Sequence, residues 1–332
     1  MIVTNSGLSS YSVGNFVTKN MKLEFTLAAC LAVLFFACKN SGHTSENTDT
    51  PTSGSITIGC DPTLEPLARA EIQAFNVLYP KADIQIKLLN ENEAFNALLV
   101  DSVRLIIAAR DVTADEKKQF DQKQQVVKSR PIARDGIAFI THATMPDKIK
   151  YTDLLSIISG KMQFWNQLDK SLPAKEIQLV FDDSKSSTVL NVASRTAGEI
   201  GKNVSAFNSN QKVINYVTEN ISAIGIIGLS WISDGQDQTT GSFIKNIHVM
   251  GIDPGDTCEF GGTYYKPFQA YLLKRIYPFY RDVHAIVNEP RNGLGNAFVA
   301  FLAHQTGQTV VQQKGLLPLA QRAWIRPVEI KK

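Results

Sequence analysis

Strand-like apolar runs alternate with amphipathic helical segments along most of this chain, and this alternation limits the folds open to it. Parallel strands need crossover connections, so such alternation favours a mostly parallel sheet with helices on both faces. The predicted fold class is therefore α/β. The first round is expected to contain strands at 56–59, 84–88 and 105–109 and helices at 64–78, 95–100 and 114–124.

A second round of the same pattern follows the apolar run Ile137–Thr141, with strands at 177–181 and 224–229. The apolar segment Phe268–Leu273 is expected to be a further strand. A chain of 332 residues exceeds the usual size of one domain, so two lobes with a cleft between them are expected. The predicted division is residues 55–135 plus 268–325 for lobe 1 and residues 136–267 for lobe 2.

Hydroxyl residues stand at two junctions where a predicted strand gives way to a helix. Asp182-Asp183-Ser184-Lys185-Ser186-Ser187-Thr188 is one such junction, and Gly59-Cys60-Asp61-Pro62-Thr63 is the other. A helix start has unpaired N–H groups, and hydroxyls add further donors, so each junction could bind an oxyanion. The alternative for each is simple helix capping, by Ser186 or Thr188 in one case and by a capped turn at Thr63 in the other.

Three charged residues lie near ends of other predicted elements. Arg104 precedes the strand at 105–109 and Arg110 ends it, and a guanidinium suits an oxyanion because its donors are planar and permanently charged. The alternative for Arg110 is an ordinary surface pair with Asp111. Asp135 lies where the chain is expected to cross between lobes, where it would contact the ligand, fix a hinge or hold an arginine.

Composition and motifs disfavour several other classes of function. The formal charge is only +3, without basic clusters interleaved with aromatic residues, so nucleic acid is not an expected partner. The histidine spacing indicates no metal site, and no cofactor motif is present. No nucleophile elbow occurs either, so we expect a binding protein and not an enzyme. A secreted hydrolase acting through Ser186 is kept as the less favoured alternative.

The amino-terminal region indicates export. An apolar run at 25–37 is too short to span a bilayer and suits a signal peptide within residues 1–37, with Met21 as the expected start. Cys38 ends this run and resembles the lipid-modified cysteine of bacterial lipoproteins; Cys30 is the alternative. Residues 38–54 read as a flexible tether. Export permits a disulfide between Cys60 and Cys258, but two free thiols are equally compatible.

Short segments throughout the body resemble the phosphate-binding component of bacterial phosphate ABC transporters, in a short lipoprotein form. The segments that carry the resemblance, in the family's order, are Ile58–Leu67, Ala109-Arg110, Asp135-Gly136-Ile137-Ala138, Ser159-Gly160-Lys161, Trp165-Asn166, Ser186-Ser187-Thr188, Gly307-Gln308 and Gly315–Leu319. The resemblance implies a type II periplasmic-binding-protein fold, with two α/β lobes joined by two crossing strands. It also implies capture of phosphate or a related oxyanion for an ABC permease and its ATPase.

By position, the resemblance makes Thr63, Ser186, Ser187 and Thr188 hydrogen-bond donors to the phosphate oxygens. Two positions depart from the family. Arg104 stands where the family has an aspartate that accepts the phosphate proton, and Asp182 stands where it has an arginine that pairs with the ligand. We therefore expect an exchange of acid and base, with Asp182 as the acceptor. The alternative is a site for another oxyanion or a small organic acid.

Overall fold

The computed structural model describes residues 49–233, 247–255 and 259–320. Ten strands form one continuous sheet in the order β2-β1-β3-β11-β4-β8-β6-β7, with β9 and β12 also paired to β4, while β5 and β10 pair separately. The strands are β1 (Ser53–Cys60), β2 (Lys81–Leu88), β3 (Leu105–Ala108), β4 (Lys128–His142), β5 (Lys148–Lys150), β6 (Gln178–Phe181), β7 (Val204–Ala206), β8 (Ala223–Gly228), β9 (Ile247–Val249), β10 (Gly251–Asp253), β11 (Tyr280–Val287) and β12 (Leu317–Pro318).

Ten α-helices and two short 3-10 helices connect these strands within the described residues. The α-helices are α1 (Glu65–Leu78), α2 (Glu91–Leu99), α3 (Ala114–Gln122), α4 (Tyr151–Ile158), α5 (Trp165–Leu168), α6 (Ser187–Ser194), α7 (Asn210–Glu219), α8 (Gln269–Leu273), α9 (Leu294–Ala303) and α10 (Gln305–Gln313); the 3-10 helices are Pro62–Leu64 and Leu229–Trp231.

The sheet has two parallel halves that are joined by the long antiparallel strands β4 and β11. In the first half β1 is parallel to β2 and β3, and in the second half β6 is parallel to β7 and β8. The amino-terminal part of β4 pairs with β11, whereas Ile137–Thr141 pairs with β8. The predicted α/β class with two lobes joined by two crossing strands is therefore confirmed.

Each half of the sheet has its own apolar core. The core of the first lobe contains Leu67 and Phe75 of α1, and the ring of Phe75 meets Phe298 of α9 edge-on at 5.2 Å between centroids. The core of the second lobe surrounds Phe139, Trp165 and Phe181. The apolar spacing that predicted α1 therefore reflects burial of one helix face.

The expectation of a strand at Phe268–Leu273 is wrong, because Gln269–Leu273 forms helix α8 and Phe268 is its N-cap. A short apolar run does not distinguish a strand from a buried helical turn by periodicity alone. Within α8 Leu273 is 40% exposed while Leu272 is fully buried, as on a helix with one buried face. The second crossing strand is instead β11, which begins at Tyr280.

The described residues include folded chain before the expected start at Ser55. β1 starts at Ser53, and Asp49 is already buried, at 5% exposure. The Asp49 carboxylate accepts hydrogen bonds from Arg104 at 2.6 Å, from the Leu294 N–H at 2.7 Å and from Arg291. Composition placed residues 49–54 in the tether because these partners lie far away in sequence.

Several expectations fall on parts of the chain that lie outside the described residues. They are the signal region 1–37 with Met21, the lipidation candidates Cys30 and Cys38, the tether before Asp49, and Cys258. Among the described helices, none combines the length and the apolar character needed to cross a membrane. Cys60 is buried and forms no disulfide with any residue in the described ranges.

We predict that Asp49→Asn lowers the free energy of unfolding at neutral pH by about 2 kcal/mol, because it removes one of two anionic partners of Arg104 and Arg291 and leaves them to share Glu289. Burial opposes ionisation, but the Leu294 N–H and Arg104 bring the pKa of Asp49 below its ordinary value. A lowered folded-state pKa means that this stabilisation is present above the unfolded pKa and is lost as pH falls through the folded value. Urea unfolding should show the difference between the two proteins shrinking below about pH 4. A constant difference from pH 7 to pH 3 would contradict this assignment.

Candidate functional site

The two hydroxyl-bearing junctions meet between the lobes. Thr63 lies in the 3-10 helix that follows β1, and Ser187 is the first residue of α6, which follows β6. The Thr63 Oγ1 and Ser187 Oγ atoms are 3.3 Å apart although the residues are 124 positions apart in the chain. Both residues are buried. The carboxyl ends of parallel strands from the two halves of the sheet thus form one polar cluster.

Arg281 of β11 lies at the centre of this cluster and is only 4% exposed. Its Nη2 donates to Thr63 Oγ1 at 2.7 Å, and its Nη1 donates to Ser187 Oγ at 2.5 Å and more weakly to Thr188 Oγ1 at 3.4 Å. Arginine can only donate, so these hydroxyl oxygens act as acceptors and their hydrogens remain able to donate elsewhere.

Asp135 of β4 is the ionic partner of Arg281. Its Oδ2 accepts from Arg281 Nη2 at 2.9 Å and Nε at 3.1 Å, and its Oδ1 accepts from the Leu229 N–H at 3.1 Å. Both side chains are almost fully buried. Burial raises the pKa of Asp135, and the charge of Arg281 opposes that rise. The pair therefore ties the two crossing strands together at the point where the lobes meet.

Asp61 completes the first junction. Its Oδ1 accepts from the Thr63 N–H at 2.8 Å and from Thr63 Oγ1 at 2.6 Å, which directs the Thr63 hydroxyl hydrogen toward Asp61. Its Oδ2 is buried and has no hydrogen-bond partner in the part of the chain that the structure describes. One acceptor oxygen of Asp61 is therefore available to a protonated group.

The hydroxyls of the second junction have two roles: one caps helix α6, and the other two contact the polar cluster. Ser186 is the N-cap of α6, and its Oγ accepts from the Val189 N–H at 3.3 Å. Ser187 and Thr188 lie in the first turn of α6 and are directed to Arg281. The first turn also carries the positive end of the helix dipole, which favours an anion there.

Asp182 lies beside this junction and is 2% exposed. Its Oδ2 accepts from Asn210 Nδ2 at 3.2 Å, whereas its Oδ1 has no partner among the described residues. Burial raises the pKa of Asp182 above its ordinary value, and the nearby Ser186 hydroxyl and Asp183 N–H oppose that rise most. The charges of Asp61 and Arg281 have smaller effects of opposite sign. The cluster thus holds three carboxyl groups around one guanidinium, and two of them have an unused oxygen.

Neither arginine that the sequence indicated joins this cluster. Arg104 precedes β3, at the end of the first half-sheet opposite to Thr63, and bonds Asp49 at 2.6 Å and Glu289 at 3.2 Å. Arg110 lies at the other end of β3, where it pairs with Glu91 and, at 2.7 Å, with Glu116. Both guanidinium groups therefore have carboxylate partners of their own.

Arg281 is the site residue that the sequence reading missed. The alternation of residues along β11 indicated that Arg281 is buried. Arg281, Val283 and Ala285 point to the same side of the strand, and all three are buried. A charged residue at a buried position of a strand requires a partner. The identity of that partner could not be read locally, since Asp135 and Ser187 come from distant segments.

The described residues lack the geometry of a serine hydrolase. Ser186 Oγ caps α6, and no histidine in the described ranges hydrogen-bonds to it. Ser129, His284 and Asp111 lie close together, but Nδ1 of His284 faces both Ser129 Oγ, at 3.1 Å, and Asp111 Oδ1, at 3.8 Å. A catalytic triad uses the two different imidazole nitrogens. Within the same ranges, no group of three or more acidic, histidine or cysteine side chains could hold a metal ion.

Comparison with known proteins places the chain in a family. Residues 45–306 match the PBP superfamily domain. The "Phosphate-binding protein PstS" of Bacillus subtilis (strain 168) is 24% identical over 310 residues, which cover 91% of this chain and 95% of that protein. The same name belongs to a Borreliella burgdorferi protein that is 21% identical, with coverage of 86% and 94%.

Solved structures agree with this placement at the level of the fold. A phosphate ABC transporter substrate-binding protein from Clostridium perfringens, solved with bound phosphate, aligns with a TM-score of 0.64 and 22% identity. An ABC-type phosphate transport receptor from Vibrio cholerae aligns at 0.59 and 15%. Each alignment covers 80% of this chain and all of the other.

The chain belongs to the PBP superfamily, and its fold is the type II periplasmic-binding-protein fold expected from the sequence. The relatives are binding proteins, so the expectation of a binding protein and not an enzyme is confirmed.

We predict that Arg281→Lys lowers the free energy of unfolding by about 2 kcal/mol, because one ammonium cannot reach Asp135, Thr63 and Ser187 together and about two buried hydrogen bonds are lost. Arg110→Lys is the matched control on the partly exposed pair with Glu91 and Glu116, where about 0.5 kcal/mol is expected. Chemical unfolding of both variants measures the difference. Equal losses in the two variants would contradict the central role of Arg281.

Proposed function

We propose that this chain is an exported solute-binding lipoprotein that captures inorganic phosphate between its lobes and delivers it to an ABC permease with its ATPase. One observation carries the proposal: Thr63 and Ser187, from opposite lobes, meet within 3.3 Å beside the buried guanidinium of Arg281. Hydroxyls and a guanidinium are the groups that recognise a tetrahedral oxyanion. The names of the PstS relatives and the phosphate in the C. perfringens neighbour support the same ligand.

In this proposal phosphate binds to the hydrogen-bond donors that contact one another in the polar cluster. The hydroxyls of Ser187 and Thr188 and the first N–H groups of α6 would donate to the phosphate oxygens, and Arg281 would supply the positive charge. The Thr63 hydroxyl would turn its hydrogen from Asp61 to the ligand, while the Thr63 N–H keeps its bond to Asp61. Ser186 contributes mainly by capping α6 and holding its first turn in place. Arg104 and Arg110 are left out of the ligand shell, because carboxylates already occupy their guanidinium groups.

The geometry suggests which residues take the two family roles that Arg104 and Asp182 leave open at their own positions. We assign the role of the ligand-pairing arginine to Arg281, not to Arg104. We assign the role of proton acceptor to Asp182, because its Oδ1 is buried and lacks a partner within the described chain. A P–OH group can donate to that oxygen, whereas sulfate at neutral pH has no proton to donate. Asp182 would therefore favour phosphate over sulfate.

Closure of the lobes would provide most of the affinity. The strand β4 runs through both lobes, β11 enters the first lobe at their boundary, and Asp135 and Arg281 pair across the two strands at this natural hinge. Closing the cleft removes the anion from water and replaces its hydration with fixed donors, which is favourable only if each buried charge is matched.

The anchoring part of the proposal rests on the sequence. Translation from Met21, a signal peptide that ends at residue 37 and lipid attachment at Cys38 would leave a polar tether before the folded body. The protein would then be held at a membrane surface on the outer side, next to its permease. Mass spectrometry of the protein extracted from membranes tests this, since a diacylated amino-terminal Cys38 has a defined mass.

Calorimetric titration of the delipidated protein, freed of carried-over solute by unfolding and refolding, tests the function itself. We expect saturable binding of one phosphate per chain and no hydrolysis of a chromogenic ester. Saturable heat with sulfate or a small organic acid but not with phosphate would favour the alternative ligand class. Ester turnover that disappears in Ser186→Ala would favour the hydrolase.

We predict that Asp182→Asn reduces the ratio of phosphate affinity to sulfate affinity at least about tenfold, because an amide can donate where the carboxylate only accepts. Asp183→Asn is the matched control, since the Asp183 carboxylate accepts from the neighbouring Lys185 N–H at the edge of the junction. Competition titrations with both anions at pH 7.5 measure the ratio. An unchanged ratio in Asp182→Asn would remove Asp182 from the acceptor role.

A further inference from the structure

A second contact between the lobes lies next to the polar cluster and uses the main chain of Thr63. The carbonyl oxygen of Thr63 accepts from the indole Nε1 of Trp231 at 3.0 Å and from Ser230 Oγ at 3.4 Å. Trp231 and Ser230 belong to the 3-10 helix Leu229–Trp231. The ligand cluster described above uses the side chain and the N–H of Thr63 but not its carbonyl oxygen.

These two hydrogen bonds join the two lobes. The 3-10 helix follows β8, and its neighbours Leu229 and Ile232 pack into the core of the second lobe. Thr63 lies between Cys60 and Leu64, which pack into the core of the first lobe. A movement that separates the lobes must therefore break the bonds from Trp231 and Ser230 to Thr63.

The hydrogen bond from Trp231 couples the position of Thr63, a residue of the proposed ligand site, to closure of the lobes. Thr63 is held at two points, by Asp61 and Arg281 through its hydroxyl and by Trp231 through its carbonyl. Gly228 allows this close approach, because a Cβ there would lie 3.2 Å from the Thr63 carbonyl oxygen and 3.3 Å from Arg281 Nη2. The indole of Trp231 thus acts on the site without belonging to it.

We propose that Trp231 is a positioning residue that latches the closed state: its indole N–H holds the Thr63 carbonyl of the opposite lobe and thereby sets how long the captured anion stays bound. The inference rests on the proposed function as far as the anion is concerned, but the latch between the lobes does not depend on which ligand is bound. Ser230 contributes a longer and weaker bond to the same oxygen.

The latch acts mainly on dissociation. When the lobes open, water replaces the indole at the Thr63 carbonyl, so the net value of the bond is that of an ordinary hydrogen bond, about a two- to tenfold change in equilibrium. Capture begins from the open state, in which the bond is not yet formed. Loss of the latch should therefore raise the dissociation rate and leave the association rate nearly unchanged.

The chain offers a matched control in Trp165. Its indole N–H also donates to a main-chain carbonyl, that of Ser222 at 3.1 Å, but both partners lie in the second lobe. Trp231→Phe and Trp165→Phe each delete one indole N–H that is bonded to a backbone oxygen. Only the first deletion concerns a bond between lobes.

Stopped-flow binding of inorganic phosphate and thermal unfolding of the ligand-free proteins separate the two effects. We expect Trp231→Phe to raise the dissociation rate about two- to tenfold with an association rate within about twofold of wild type. We expect Trp165→Phe to lower the melting temperature and to leave the dissociation rate unchanged. An unchanged dissociation rate in Trp231→Phe, or an equal rise in both variants, would overturn the latch.

Hydrogen exchange without ligand keeps the latch testable if wild type does not bind phosphate. Faster amide exchange in peptides that cover residues 61–65 and 229–233 is expected in Trp231→Phe and not in Trp165→Phe. Exchange equal to wild type would overturn the latch whatever the ligand is. Absence of phosphate binding by wild type, together with faster exchange in Trp231→Phe, would instead overturn the proposed ligand and leave the latch standing.

Discussion

The buried ion pair of Arg281 and Asp135 is the interaction on which the arrangement of the site depends. A guanidinium removed from water must find a partner for its charge and for its N–H groups, and β11 supplies no such partners itself. Asp135 comes from the other crossing strand, Thr63 from the junction after β1 and Ser187 from the start of α6. Satisfying one charge therefore brings together three segments from both halves of the sheet.

The architecture makes that convergence possible. Parallel strands in each half place their carboxyl ends toward the same boundary, so helix starts from the two lobes face each other there. The crossing strands β4 and β11 run through the boundary and carry the ion pair. Around it, the unused oxygens of Asp61 and Asp182 give the site acceptors as well as donors. A protonated anion would satisfy both kinds of group better than a fully ionised one.

Local sequence signals were sufficient for the fold class and for the junction residues. Strand and helix alternation and hydroxyls at helix starts depend on neighbours in sequence, and the structure brings Thr63 and Ser187 together. Contacts between distant segments cannot be predicted from the local sequence. For this reason Arg281 was missed and Arg104 was expected near the ligand. Arg104 instead neutralises Asp49 at the opposite end of β3. Phe268–Leu273 was misread because a short segment with five apolar residues in six fits either a strand or a helical turn.

A crystal structure of the protein grown with phosphate tests the central claim most directly. The account predicts one phosphate between the lobes, with its oxygens within hydrogen-bonding distance of the hydroxyls of Thr63 and Ser187 and of the guanidinium of Arg281, and with a protonated oxygen facing Asp182. Phosphate bound at another place, or a cleft in which Thr63 and Ser187 contact no common ligand at saturating phosphate, would contradict it.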